Sequence, residues 1–292
     1  MKEKQWQFNP ATGVAGFILA SVLGALLQPM LSGALGPAGM AYYSLAMPAY
    51  YFLTIAGTLV LPIVIGRWVS RFVQNGETGE ARAFFADSLL ALVLPGAALG
   101  VVAALLATPI ANICNLPGGA LALVGIAPLY LLSMASAALR GYFIGLGNYG
   151  IYALSLLVQQ LAKVLLAPLL AGLGGEDVGR MAQWACFGIC IAEALSLLVL
   201  TVYFAIFNRG REKGEASSVR TPLASIAKKL WTAGGGGALL ASLFALLSIV
   251  DALVVPGRFD KAVFSSSAAA GGYAVLSAFS LPVVLFPGAL CA

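Results

Sequence analysis

An all-α bundle of about eight membrane-spanning helices is what this sequence predicts, and three observations predict it. The 292 residues are 61% hydrophobic and 9% charged, where a soluble domain carries roughly 45–50% and about 25%. The apolar residues come in blocks of about 20 to 28, the length that crosses ~30 Å of hydrocarbon as a helix. The Lys and Arg residues gather in alternate connections between the blocks, as the positive-inside rule requires. The formal net charge of +5 belongs to those connections and calls for no nucleic-acid partner.

The N-terminal "MKEKQWQFNP" is polar and basic, and the apolar run behind it, 11–35, is too long for a signal-peptide core. It reads as a retained first span. Seven more are expected at 41–66, 83–110, 120–146, 151–173, 178–207, 232–255 and 268–292, from apolar length between polar breaks. Lys2 and Lys4 precede span one; Arg67, Arg71 and Arg82 follow span two; Arg209, Arg211, Lys213, Arg220, Lys228 and Lys229 follow span six. The intervening connections 36–40 and 111–119 carry no charge. A multi-pass protein of the plasma membrane with both termini cytoplasmic is therefore expected. Arg258 and Lys261 in the seventh connection are the one exception.

The basic, Gly- and Ser-rich stretch 208–230 reads as a flexible linker. It separates a six-helix first lobe, 1–207, from two further helices in 231–292. "LASVLGALLQPMLSGALG" before the linker resembles "LASLFALLSIVDALVVPG" after it, and "AGMAYYSLAMP" resembles "AGGYAVLSAFSLP". Six spans is an even number, so the copies form a parallel repeat. A complete repeat needs four more spans, so the second lobe is expected to be truncated or partial, with a missing second half or self-association completing it.

The sequence contains no histidine, which removes the usual general base and the commonest metal ligand. Cys114, Cys186, Cys190 and Cys291 form no C-x-x-C pair, and Cys186 and Cys190 stand one helical turn apart as packing residues. Neither an enzyme nor a cofactor or metal is indicated.

"GALGPAGMAYYSLAMPAYYFLTIAGTLVLPIVIGRWVS" and "LRGYFIGLGNYGIYALSLLVQQLAKVLL", followed after the linker by "LLSIVDALVVPGRF", carry a family likeness. They resemble the stage V sporulation protein B and polysaccharide-transport branch of the flippase superfamily. That superfamily also holds the lipid II flippases and the multidrug and toxin extrusion transporters. The resemblance implies two six-helix lobes, an alternating-access cavity and export of a polyprenyl-pyrophosphate-linked oligosaccharide or cell-wall precursor. The chain departs from the pattern in its short second lobe. It also lacks the cavity arginines that lipid II flippases place in span one, where Gln28 is the polar group.

Ionisable groups inside spans cost about 2.5–3.5 kcal/mol on insertion scales, so each must face a partner or a wet cavity. Lys163 stands deep in span five and Glu193 deep in span six, which predicts either a structural ion pair between them or a phosphate-binding Lys163 controlled by Glu193. Gln160 shares a face with Lys163 by its i, i+3 spacing, and Gln159 and Gln160 serve either as interhelical glue or as sugar contacts. Asp251, with Arg258 beyond it, is either a helix-end pair or an ion-coupling acid. Arg140, near the cytoplasmic end of span four, either snorkels to headgroups or binds a pyrophosphate in two-point fashion. The neighbouring Gly141, Gly145 and Gly147 leave room for a backbone or a ligand. Arg67, Arg140 and Lys163 favour an anionic lipid-linked sugar as cargo, flipped from the cytoplasmic to the outer leaflet. The alternatives are a cation-coupled drug exporter using Glu193 and Asp251, and an inactive remnant.

Overall fold

The computed structural model describes residues 10–54, 57, 60–209, 225, 226, 228–234, 236, 243, 247 and 250. Among the described residues the regular elements are helices and none is a strand. They are α1 (Pro10–Ala25), α2 (Leu27–Leu45), α3 (Met47–Thr54), α4 (Leu61–Gln74), α5 (Thr78–Leu105), α6 (Ala107–Ile113), α7 (Gly119–Ile126), α8 (Pro128–Gly145), α9 (Tyr149–Ala171) and α10 (Val178–Arg209), with a 3-10 turn at Gly172–Gly174. Among the described residues, five stretches are long and apolar enough to cross a membrane: Ala11–Leu45, Thr78–Leu105, Gly119–Gly145, Tyr149–Gly174 and Val178–Phe207. The protein is an all-α membrane protein, as its composition requires.

The first stretch has 35 residues, too many for one crossing at 1.5 Å per residue. It breaks at Gly36, whose φ of +63° and ψ of −179° leave the helix, immediately before Pro37. A side chain is strained at that φ, so Gly36 ends the first crossing where the sequence places its end. The second span, expected at 41–66, is helical in the end of α2, in α3 and in the start of α4, with a single-residue turn at Ala46; residues 55, 56, 58 and 59 lie outside the described residues. Pro48 and Pro62 stand near the starts of α3 and α4, where a missing N–H is tolerated.

Residues 225, 226 and 228–234 are helical, so helix begins inside the stretch expected to be linker. The bulk of spans seven and eight, with Asp251, Arg258, Pro282 and Cys291, lies outside the described residues.

Close approaches between small residues set the helix directions. Gly13 and Gly16 of α1 lie against Tyr149 and Ala153 of α9, so α1 and α9 run parallel. Gly141 and Gly145 of α8 lie against Ile65 and Val69 of α4, so those two also run parallel. Gly96 and Gly100 of α5 meet Met134 and Ala127, which makes α5 antiparallel to α8. Gly188 meets Ala167, and Gly174 meets Met181, closing α9 and α10 into an antiparallel hairpin.

The consequence is a sorted bundle. At one end, here the basic end, α4, α8 and α10 finish and α1, α5 and α9 begin; Arg67, Arg71, Arg82, Lys228 and Lys229 gather there. The opposite end carries Glu176, Asp177 and Arg180, with Arg180 and Asp177 paired at 3.5 Å. Leu94, Leu105, Leu165 and Leu169 point outward, as lipid-facing residues do.

The room that Gly141 and Gly145 leave is filled by the α4 backbone. A Cβ on Gly141 would stand 2.6 Å from the Ile65 Cβ and 2.9 Å from the Pro62 carbonyl oxygen. Gly141→Val is therefore expected to destabilise the bundle by about 1–3 kcal/mol through overpacking. Thermal unfolding in detergent measures this, and an unchanged midpoint would show that α4 and α8 do not touch there.

Candidate functional site: a buried polar cluster between α3, α8, α9 and α10

The deepest charges of the bundle meet on one set of facing helices. Arg140 from α8 is 0% exposed, Glu193 from α10 is 2% exposed, and Lys163 from α9 is 1% exposed. Arg140 Nη2 lies 3.3 Å from Glu193 Oε1. The same guanidinium donates to Gln159 Oε1 at 3.1 Å, to Ser196 Oγ at 3.0 Å and, through Nε, to Ser155 Oγ at 3.4 Å. Gln159 Nε2 in turn donates to Glu193 Oε2. Ser155 Oγ donates to the Tyr152 carbonyl of its own helix at 2.7 Å, and Ser196 Oγ ties α10 to α9 by donating to the Ser155 carbonyl at 2.9 Å.

Helical periodicity builds this network. Ser155, Gln159 and Lys163 recur every four residues on α9, and Glu193 and Ser196 are three apart on α10, so each set lines one face. At 1.5 Å per residue, Lys163 lies about 21 Å from the start of α9 and Glu193 about 22 Å from the start of α10. From the other ends, Glu193 stands about 24 Å before the close of α10 and Lys163 about 12 Å before the close of α9.

Lys163 belongs to the cluster but not to the ion pair. Its Nζ donates to Tyr50 Oη at 3.3 Å and stands 5.1 Å from the centroid of that ring, a cation–π contact as well as a hydrogen bond. Tyr50 comes from α3, the short helix between α2 and α4. Ser133 Oγ of α8 secures the same helix by donating to the Leu53 carbonyl at 3.1 Å.

Two sequence expectations change here. The partner of Glu193 is Arg140, not Lys163. Arg140 does not snorkel: Tyr142, Phe143, Tyr203, Phe204 and Phe207 form a layer of rings with centroids 5.2–6.5 Å apart on the basic-end side of it. With that layer in the way, the guanidinium turns inward to α9 and α10.

The glutamines separate in the same way. Gln159 is buried in the cluster, whereas Gln160 is half-buried beside Gly24 of α1; the interior partner of Lys163 on its own helix is at i−4, not i−3. Gln28 lies on α2 with its Oε1 buried and without a hydrogen-bond partner among the described residues. Arg67 is at the basic end in a separate pocket with Arg71. Asp251 lies outside the described residues. Tyr50, Ser155 and Ser196 were not singled out from the sequence. Their spacing from Gln159, Lys163 and Glu193 was the available signal.

The cluster is not electrostatically closed. Two formal cations, Arg140 and Lys163, share it with one carboxylate, and among the described residues no carboxylate oxygen lies within 4.0 Å of Lys163. Arg140 Nη1 is buried without a hydrogen-bond partner among the described residues, as are the hydroxyls of Tyr43, Ser44 and Ser136. Unpartnered donors around an excess positive charge form an environment that favours an anion. Cys186 and Cys190 are buried, Cys190 Sγ contacts the Gly125 carbonyl at 3.4 Å, and burial pushes the Cys114 thiol above its ordinary pKa.

No family model matches the chain. Among curated proteins it is similar to the sporulation protein YkvU of Bacillus subtilis (strain 168), 22% identical over 290 residues, which is 94% of this chain and 61% of that protein. Among solved structures it is similar to an inward-facing multidrug resistance MATE family transporter of the MOP superfamily, with a TM-score of 0.59 and 16% identity over 88% of this chain and 56% of that one. It is similar as well to a MOP superfamily transporter from Pyrococcus furiosus Vc1 (DSM3638), described as having a binding pocket of reversed polarity, with a TM-score of 0.51 and 15% identity over 91% of this chain and 61% of that one. A chain named protein A matches with a TM-score of 0.70 and 19% identity over 94% of this chain and 60% of its own length. The chain thus has the fold of MOP superfamily membrane transporters and spans about three-fifths of the length of the proteins it matches.

Proposed function

We propose that this chain serves a membrane transporter that moves an anionic, lipid-linked cargo, a polyprenyl-pyrophosphate oligosaccharide or cell-wall precursor, from the cytoplasmic to the outer leaflet by alternating access. The observation that carries this reading is the uncompensated positive charge of the interior cluster, with Lys163 buried against Tyr50 rather than against an acid. A pyrophosphate supplies the missing negative charge, and the free Arg140 Nη1 and Lys163 supply donors to it. The transporter fold supports the same reading, and so does the likeness to a sporulation protein. Lys163 and Arg140 are the cargo-facing cations in this scheme, Gln159 orients the guanidinium, and Glu193 keeps Arg140 in place between transport events. Gln28 and Gln160 line the neighbouring α1–α2 side as polar contacts for the sugar.

A cation-coupled drug exporter is the competing reading, and ligand charge separates the two. In nanodiscs of neutral lipid, the chain is expected to bind a polyprenyl-pyrophosphate sugar saturably and to prefer it over a lipophilic cation. A charge-assisted contact contributes about 1.5–3 kcal/mol, so the preference is expected to exceed tenfold. Tighter binding of the lipophilic cation, sensitive to Glu193→Gln, would overturn the reading in favour of the exporter.

A further inference from the structure

A second concentration of positive charge lies at the basic end, apart from the interior cluster. A cavity of about 630 Å³ opens there between α4, the α8–α9 turn and the helical segment beyond the linker, with Arg67, Arg71 and Tyr149 on its wall and Ala233 closing one side. We infer that this cavity is a phosphate-binding site for a phosphate or pyrophosphate ester presented at that face of the membrane. The inference adds to the cargo reading above and does not depend on it.

The lining is rich in donors and contains no Asp or Glu. Neither Arg67 nor Arg71 has a carboxylate oxygen within 4.0 Å among the described residues. The two arginines stand four apart on one helix, so they project from the same face, and a pair of planar guanidinium forks suits the oxygens of a phosphate better than a single ammonium does. Gln74 Nε2 donates to Ser70 Oγ at 3.1 Å, which leaves the Ser70 hydroxyl its own hydrogen to donate.

Trp68 holds the cations in position. The Arg71 guanidinium lies 5.4 Å from its ring centroid, and the Lys229 ammonium lies 5.3 Å from it. Lys229 comes from the helical end of the stretch expected to be linker, and the nearby residues Ile226 and Leu230 are buried, so this segment is seated on the bundle. Two cations thus line the cavity and a third, Lys229, stands against the Trp68 ring at its wall, with no acid in the lining among the described residues, an arrangement that raises the local concentration of anions. Ordinary positive-inside charges need no cavity, no shared aromatic ring and no neighbouring hydroxyl donors, and this site has all three.

The test is equilibrium dialysis of radiolabelled inorganic pyrophosphate against the full chain in phosphatidylcholine nanodiscs. One saturable site per chain is expected. Arg67→Gln combined with Arg71→Gln is expected to weaken it at least tenfold, whereas Arg82→Gln, which removes a charge from the same end outside the cavity, changes it less than twofold. Equal losses in the two variants, or binding that never saturates, would reduce the effect to general surface charge and overturn the inference. Lys163→Met separates this site from the interior one. Binding that survives it and disappears in the double variant supports the cavity, and the reverse pattern overturns it. Repeating the titration with phosphatidylglycerol in the disc identifies the source of the phosphate. Displacement of pyrophosphate assigns the site to a lipid headgroup, and its persistence assigns it to an ester approaching from water.

Discussion

Glu193→Gln is expected to destabilise the bundle by about 3–5 kcal/mol, the usual cost of removing one partner from a buried ion pair. The substitution keeps the size of the side chain and an acceptor for Gln159, so the loss is not one of packing. It removes the carboxylate that lies 3.3 Å from Arg140 Nη2 and leaves two cations in a water-poor interior without an anion. Neutral interhelical hydrogen bonds in membranes average only about 0.6 kcal/mol in double-mutant cycles. An effect of several kcal/mol therefore identifies charge, not hydrogen bonding, as what holds α8 to α10. Replacing both partners, Arg140→Met with Glu193→Met, is expected to recover much of the loss, because the desolvation of two charges disappears with their attraction. Equilibrium unfolding in a denaturing-detergent titration checks both statements, and a loss below about 1 kcal/mol in Glu193→Gln would contradict the first.

Lys163→Met is expected to act in the opposite direction on stability and strongly on cargo. Lys163 is buried with no carboxylate nearby, so its charge is a burden of up to about 2.5–3.5 kcal/mol on insertion scales, offset only in part by the Tyr50 hydroxyl and ring. A thioether of similar length fills the same space. The variant is expected to unfold at the same or a higher denaturant concentration than the parent while binding a polyprenyl-pyrophosphate sugar at least tenfold more weakly. Such a division is the signature of a residue kept for a ligand, because functional sites hold charges that stability alone would discard. If Lys163→Met unfolds the bundle and leaves cargo binding intact, Lys163 is a strut for α3 and the proposed cargo chemistry fails.

The membrane class and the helix content were legible because hydrocarbon thickness imposes a length on each span, and apolar blocks of that length are visible in any such sequence. The break at Gly36 was legible too, as a glycine and a proline in succession. The turn at Ala46 between α2 and α3 was not, because the apolar content runs through it without a gap. Within the interior cluster, the depth of Lys163 and Glu193 was readable from counting, but the choice of partner was not. Pairing depends on the rotation of three helices about their axes, and an error of one position moves a side chain by about 100° around the helix. That is why Gln160 was expected to join Lys163, and Gln159 is the one that lies in the interior. Arg140 was expected at the membrane boundary because its distance from the helix end is short. The aromatic layer that turns it inward is assembled from α8 and α10, and no local pattern announces such a layer.

The short helix α3 has a further implication. The Leu53 carbonyl accepts a hydrogen bond from the Ser133 hydroxyl of α8 at 3.1 Å, a side-chain tie of the kind that secures helices in hydrocarbon. Tyr50 on the same helix is tied to Lys163 at 3.3 Å. Sliding α3 by a fraction of a turn would break both ties at once, so any movement of this helix is expected to be a step and not a drift.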